Sequence, residues 1–206
     1  MAQQLKTAAL FIDAENLYFI QKGLGWEIDL AKVYAFFEAR YYIYNAFYYT
    51  VVDPSSENYA EKNQFLDTLS PLGYTIRKKI IKIIKAGERI VKKGNLDIEI
   101  VLDMFNTKDL YQVAILFSGD SDFDRALELL RTYGKEIIVI SSRGFVAKEL
   151  INAADKYYDL QDLQQFFMKD ETAQQVRTLG FPHMTKKNIP LKKKIYTKQQ
   201  TRVQSM

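Results

Sequence analysis

The sequence contains no cysteine and only one histidine, and these absences restrict its chemistry. Without cysteine there is no disulfide, no thiolate nucleophile and no metal site with cysteine ligands. The one histidine, His183, lies in a polar, lysine-rich segment far from the regular strand and helix pattern. A pair of catalytic imidazoles is therefore excluded, and a Ser-His-Asp triad is disfavoured. Carboxylates and a metal ion remain as the chemistry available to the chain.

Long hydrophobic runs and nucleotide-binding loops are also missing. No run of about 18 apolar residues and no charged-then-apolar leader occurs, so we expect a cytoplasmic protein without a membrane partner. Neither a GxxxxGK[ST] loop nor a GxGxxG turn occurs, which disfavours a nucleotide cofactor. With 206 residues, 48% of them hydrophobic, the chain is long enough for one buried domain and an appendage.

Short apolar runs alternate with helical periodicity along most of the chain, which predicts one parallel α/β sheet covered on both faces. The aromatic strand at 41–52 suits core packing better than a base-stacking platform. Apolar residues on nearly all sides of 95–105 predict a helix buried between other elements. The expected strands are 7–12, 41–52, 74–84, 89–92, 113–117, 136–140 and 155–160, and the main helices follow residues 13, 29, 57, 94, 121, 144 and 160.

Two of the expected strands are followed by acidic residues. Asp13 follows the first strand, and Asp120 and Asp122 lie in the segment SGDSD after the strand at 113–117. Open α/β sheets bind their ligands at the carboxyl ends of the strands. Several uncompensated carboxylates at one edge repel each other unless a cation is bound. The pattern therefore indicates a cation site.

Helix capping is the alternative interpretation of the same acids. Asp13 could cap the next helix, with Asn16 three residues on, and Ser121 could cap the helix after SGDSD. Asp124, in the first turn, is better explained by the helix dipole than by a ligand role. Capping by Ser121 does not explain Asp120, which precedes it, so both interpretations stay open at this point.

The helix expected at 95–105 adds two more acids, Asp97 and Asp103, on a largely apolar element. A buried carboxylate needs a hydrogen-bond partner, a counter-charge or a metal. We expect Asp103 to be held by a lysine or by backbone groups.

Positive charge is concentrated in a hairpin expected around the turn at 85–88 and in the C-terminal segment, where 171–206 carries eight Lys or Arg and one acid. Lysines can protect a sheet edge from aggregation, but so many cations also suit a polyanion. The candidate nucleic-acid contacts are Arg77, Lys78, Lys79, Lys82, Lys85, Arg89, Lys92, Lys93, Lys192, Lys193 and Lys194.

Four segments together resemble the NYN domain, in its LabA-like branch, which is related to the PIN-domain nucleases. The resemblance implies a three-layer α/β/α sandwich with a mostly parallel PIN-like central sheet, to which the sequence adds the basic hairpin. We expect this domain to cover 1–168, and 169–206 to form a basic, flexible tail. The segments are FIDAENLY (11–18), KGNLDIEIVLD (93–103), LFSGDSDFDRALELLRTYGKEI (116–137) and KELINAADKYYDL (148–160).

The resemblance also implies a ribonuclease that uses Mg²⁺ or Mn²⁺, with single-stranded RNA as the favoured partner. Hard cations of this kind bind carboxylate oxygens and need neither His nor Cys. Asn16 and Ser118 would be polar companions of the site, and Asp103 a supporting acid behind it. The implied metal-binding and catalytic acids are Asp13, Asp97, Asp120 and Asp122.

Three other functions compete with the ribonuclease. The first is an RNA-binding regulatory module that keeps the acids but has little or no activity. The second is a phosphatase or receiver domain, which is disfavoured because the sequence after Ile12 reads DAENL and not DxDxT. The third is a nuclease acting on DNA, since phosphate chemistry does not distinguish the sugars. A homo-oligomer is compatible with each of them.

Overall fold

The computed structural model describes the backbone of residues 4–86 and 89–170, and the side chains of residues 4–82 and 94–170. Alternating strands and helices fill this part of the chain, as the apolar periodicity predicts. The strands are β1 (Thr7–Asp13), β2 (Tyr42–Val52), β3 (Tyr74–Ile80), β4 (Lys82–Ala86), β5 (Arg89–Lys93), β6 (Val113–Phe117), β7 (Glu136–Ser141) and β8 (Lys156–Asp159).

Six of these strands form one sheet in the order β3-β2-β1-β6-β7-β8, and each neighbouring pair is parallel. The strands β4 and β5 form a separate antiparallel hairpin. The helices that connect and cover the sheet are α1 (Ala14–Leu24), α2 (Leu30–Glu38), α3 (Tyr59–Leu69), α4 (Asp97–Asn106), α5 (Asp124–Thr132), α6 (Lys148–Ala153) and α7 (Gln164–Phe167).

The sheet lies between two helical layers because successive side chains of a strand point to opposite faces. In β1, Leu10 and Ile12 pack in the core formed with α1, α2, α3 and α7. Ala9 and Phe11 pack in the second core, formed with α4, α5 and α6. The fold is therefore a three-layer α/β/α sandwich with a parallel central sheet, which confirms the expected fold class.

One expected strand is divided in two. The run at 74–84 was expected to be continuous, but β3 ends at Ile80 and β4 begins at Lys82. The backbone N–H of Ile81 still donates to the carbonyl of Val52 at 2.9 Å, after which the chain leaves the main sheet for the hairpin. No glycine or proline marks this change of partner, so composition could not reveal it.

The helix α4 is less buried than its apolar composition suggests. Ile100 and Met104 are buried against the sheet, whereas Ile98 is 69% exposed and Leu102 is 54% exposed. The expectation of a helix buried on all sides is therefore wrong, because α4 lies in an outer layer and has only one face on the sheet. The side chains of Glu99 and Asp103 are partly exposed beside it.

A parallel sheet brings all carboxyl ends of its strands to one edge, and this edge positions the acids. Asp13 is the last residue of β1, and Ser118 directly follows β6. The N-terminus of α4 meets the same edge, because the hairpin returns the chain there. Within the described residues, no helix combines the length and the apolar character that crossing a membrane requires.

Candidate metal centre

Three carboxylates converge at the carboxyl edge of the sheet. Asp97 is the first residue of α4, Asp120 follows β6, and Asp122 lies in the 3₁₀ turn Ser121–Phe123 that leads into α5. One carboxylate oxygen from each lies within 4.8 Å of the others. Asp97 and Asp120 are partly buried and Asp122 is exposed, so the cluster can be reached from solvent.

The turn that carries Asp120 and Asp122 is fixed by local hydrogen bonds. Asp120 has an extended backbone, and its carboxylate accepts from the N–H of Asp122 at 3.0 Å. Asp120 therefore caps this turn, in place of the Ser121 that the sequence suggested, because the helical turn begins one residue earlier than expected. This cap occupies one oxygen, Oδ1, and the same side chain still reaches the cluster.

Gly119 is needed for the close packing of this turn. A Cβ atom at this position would overlap the backbone carbonyl of Phe145, in the loop after β7. The same loop returns a hydrogen bond, since the N–H of Ala147 donates to the carbonyl of Gly119 at 2.9 Å. The loop after β7 therefore holds the turn in place, a role that the sequence analysis did not identify and that only the glycine in SGD could have signalled.

Asp13 lies beside the three converging acids and is not one of them. Its Oδ1 accepts from the N–H of Asn16 at 3.1 Å, which caps α1, and its Oδ2 accepts from the hydroxyl of buried Ser118 at 3.1 Å. The side-chain oxygen of Asn16 accepts from the N–H of Gly119 at 2.9 Å. The Ser118 hydroxyl in turn accepts from the N–H of Asp120 at 3.3 Å. Asn16 and Ser118 thus connect β1 and α1 to the acidic turn.

The electrostatics of the edge favour a bound cation. Burial raises the pKa of Asp13 to about 6 from an ordinary 3.8. The hydrogen bonds that its carboxylate accepts lower this pKa, and the negative charge of Asp97 raises it. Burial, followed by repulsion from Asp120 and Asp122, raises the pKa of Asp97. In the part of the chain that the structure describes, no lysine or arginine forms an ion pair with any of these four acids. A divalent cation with oxygen ligands fits this uncompensated set.

Asp103 lies on the same helix but has a different environment. Its carboxylate accepts from the guanidinium of Arg77 at 2.8 and 3.3 Å and from the hydroxyl of Tyr49 at 3.1 Å. The expectation of a lysine or backbone partner is therefore wrong, because β3 places an arginine opposite α4. Asp103 therefore lies outside the cluster and connects α4 to β2 and β3 through these hydrogen bonds.

Three of the candidate basic residues, all in β3, form contacts within the fold. Arg77 pairs with Asp103, and Lys79 pairs with Glu99 of α4 at 2.7 Å. Lys78 donates to the side chain of Asn63 at 3.1 Å. Lys82 is exposed. The side chains of the other candidate contacts lie outside the described residues, namely Lys85, Arg89, Lys92, Lys93, Lys192, Lys193 and Lys194.

The comparisons with known proteins agree with this architecture. The family model of the NYN domain matches residues 7–161. The chain belongs to the NYN domain family. The low amplitude and bright protein LabA of Synechococcus elongatus is 43% identical over 177 residues, which are 83% of this chain and 92% of LabA. The NYN protein described here is therefore LabA-like, as its four matching segments indicate.

A solved structure shows the same fold. It is a protein of unknown function from Vibrio parahaemolyticus, with a TM-score of 0.68 and 22% identity, and the match covers 82% of this chain and 99% of that one. Family membership places this NYN protein among the PIN-like nucleases, a superfamily that uses divalent metals and acts on nucleic acid. The cluster of aspartates is the feature that corresponds to such a metal dependence.

Proposed function

We propose that this NYN protein is a Mg²⁺- or Mn²⁺-dependent ribonuclease that hydrolyses phosphodiester bonds in single-stranded RNA. The observation that carries the proposal is the contrast between two groups of acids. Glu99 and Asp103 have cationic partners within the fold. The acids at the carboxyl edge have none among the described residues, although burial and mutual repulsion make their charges costly. A site maintained at such a cost supports a functional role.

The residues divide into ligands and positioning groups. Asp97, Asp120 and Asp122 would hold the metal, because their oxygens converge. A bound Mg²⁺ or Mn²⁺ activates water and stabilises negative charge on the phosphate. Asp13 would complete the negative face of the site, oriented by the hydroxyl of Ser118. Asn16 is a positioning residue in this proposal, since its carbonyl oxygen fixes the backbone N–H of Gly119.

RNA binding in this proposal depends on basic side chains around the acidic edge. Arg77 and Lys79 already neutralise acids of α4, so their contribution to an RNA phosphate is reduced. Lys82 and the remaining basic residues of the hairpin, together with the C-terminal basic residues, are the better candidates for phosphate contacts. Their sequence-independent attraction would weaken with salt.

The proposal is tested by incubating labelled single-stranded RNA and DNA of matched sequence with Mn²⁺, Mg²⁺ or EDTA. The wild type is compared with Asp120→Asn and with Asp124→Asn, a control that removes an acid four residues further on, outside the three converging carboxylates. We expect metal-dependent RNA cleavage that Asp120→Asn abolishes and Asp124→Asn retains. Intact RNA under all metals, with salt-sensitive binding, would instead support an inactive RNA-binding regulatory module.

A further inference from the structure

A cavity of about 240 Å³ lies at the same edge of the sheet, between the N-termini of α1 and α3. Two short backbone connections link its lining to the acidic edge, and the charge of Glu15 contributes to the raised pKa of Asp13. Glu15 follows Asp13 by two residues, and Gly94 precedes Asn95, whose side chain donates to Asp97. The side chains that face this cavity are mostly polar, namely Glu15, Asp53, Ser56, Asn58, Tyr59 and Lys62.

Glu15 divides its two carboxylate oxygens between the fold and the cavity. Its Oε1 accepts from the hydroxyl of Thr50 at 3.1 Å, from the N–H of Val51 at 3.2 Å and from the ammonium of Lys62 at 3.4 Å. Among the described side chains, those of residues 4–82 and 94–170, none donates to its Oε2, and 43% of the Glu15 side chain is exposed. The fold therefore fixes this carboxylate while one oxygen remains available to a ligand.

The lining favours a ligand that donates hydrogen bonds. The carboxylate of Glu15 presents an acceptor oxygen to the cavity, and Lys62 contacts its other oxygen. A sugar hydroxyl or a base amino group can donate a hydrogen bond to this acceptor, whereas an ionised phosphate oxygen has no hydrogen to donate. Tyr59 is 37% exposed and offers an aromatic surface on which a base can stack.

We infer that this cavity is a nucleoside subsite that takes the ribonucleotide next to the cleaved phosphate, with Oε2 of Glu15 accepting the ribose 2′-hydroxyl. The inference rests on the proposed function, because the cavity adjoins the acids that would act on the phosphate. The 2′-hydroxyl is the group that distinguishes RNA from DNA at a given site. Glu15 is therefore a specificity-determining residue, and it explains a preference for RNA that the metal site alone does not provide.

The substitution Glu15→Gln tests the inference without removing the internal hydrogen bonds. Three donors contact the Oε1 position, so the amide oxygen of glutamine will occupy it. The amide nitrogen then replaces Oε2 and can only donate, so the charge-assisted hydrogen bond from the 2′-hydroxyl to a carboxylate oxygen is lost. We expect the affinity for RNA to fall about tenfold, as for the loss of a hydrogen bond to a charged group, while the affinity for DNA is unchanged.

The measurement is fluorescence anisotropy of the full-length chain in EDTA, using labelled single-stranded RNA and DNA of matched sequence. Glu27→Gln is the matched control, since Glu27 is an exposed carboxylate that pairs with Lys169 beyond the other end of α1. Asn58→Ala is a second variant in the cavity. The side chain of Asn58 is exposed and makes no capping hydrogen bond to α3, so Asn58→Ala removes no cap from this helix. We expect weaker RNA binding from both cavity variants and unchanged binding from the control.

The outcomes separate this inference from the ribonuclease proposal. A reduced ratio of RNA to DNA affinity in Glu15→Gln supports the subsite even if the wild type cleaves nothing. The subsite is overturned if Glu15→Gln leaves the ratio of RNA to DNA affinity unchanged and Asn58→Ala leaves RNA binding unchanged. This holds even if the wild type cleaves RNA and Asp120→Asn does not.

Discussion

Replacing Asp13 by asparagine should stabilise the metal-free protein at neutral pH. The pKa of Asp13 is about 6 in the folded protein, against 3.8 ordinarily, chiefly because the side chain is largely buried. A raised pKa means that the folded state binds the proton more tightly than the unfolded state. The wild type therefore loses stability as the pH rises from about 4 to about 6. The shift corresponds to about 3 kcal/mol, a cost that an uncharged asparagine side chain at this position does not carry.

The assay is urea unfolding of the wild type and of Asp13→Asn in EDTA across this pH range. We expect the two proteins to have similar free energies of unfolding near pH 4, and the variant to gain up to about 3 kcal/mol by pH 7. The amide oxygen of asparagine can still accept from the N–H of Asn16 and keep the cap of α1. The difference between the two proteins is therefore dominated by the charge.

A matched control separates the charge at the cluster from the capping of a helix. Asp29 caps α2 by accepting from the N–H groups of Ala31 and Lys32, so Asp29→Asn removes a capping charge elsewhere. We expect no comparable gain from it. Excess Mn²⁺ should reduce the advantage of Asp13→Asn, because the wild type has one more negative charge beside the cluster, binds the cation more tightly and is therefore stabilised more by it. A variant that is less stable than the wild type at pH 7 in EDTA would refute the reasoning.

Three further predictions concern the parts that support the site. Asp103→Ala leaves Arg77 and the hydroxyl of Tyr49 unpaired and should lower the free energy of unfolding by about 1–2 kcal/mol. The loss is modest because the ion pair is partly exposed. Equal urea midpoints for the variant and the wild type would contradict this. Gly119→Ala should lower the free energy of unfolding by about 1–3 kcal/mol in thermal unfolding, because the new methyl group overlaps the carbonyl of Phe145. It should also weaken Mn²⁺ binding in calorimetry. Wild-type values in both measurements would show that the loop after β7 does not hold the turn. The logarithm of RNA affinity should fall linearly with the logarithm of salt concentration, and a flat dependence would contradict the basic contacts.

The sequence was sufficient to predict the sheet and the location of its acids. Parallel strands with buried, β-branched runs are a strong local signal, and β6, with all five residues buried, shows it most clearly. The acids after β1 and β6 were expected at one edge because parallel topology brings these ends together. The NYN resemblance grouped Asp97 with the acids of this edge, and the three converging oxygens of Asp97, Asp120 and Asp122 agree with it.

Features that depend on partners distant in the chain could not be predicted. The run around Ile81 has uniform strand propensity, so the change from the main sheet to the hairpin is decided by which strands lie beside it. The pairing of Asp103 with Arg77 depends on α4 crossing β3, 26 residues away in sequence. Glu15 was overlooked for the same reason, because its three donors come from β2 and α3.

The expected ranges of the domain and the tail remain a prediction. The described unit extends to the end of α7 and the residues just beyond it, near the expected boundary at 168. Residues 171–206, with the expected basic tail contacts, lie outside the described part of the chain.

The most direct test of the metal centre compares two acids of α4 in Mn²⁺-dependent RNA cleavage. Asp97 and Glu99 are two residues apart, but Asp97 belongs to the uncompensated cluster and Glu99 pairs with Lys79. We predict that Asp97→Asn lowers the cleavage rate by about 100-fold or more, because a metal ion contributes several kcal/mol to the reaction, and that Glu99→Gln keeps most of the activity. Full activity in Asp97→Asn, or an equal loss in both variants, would contradict a metal centre built on these aspartates.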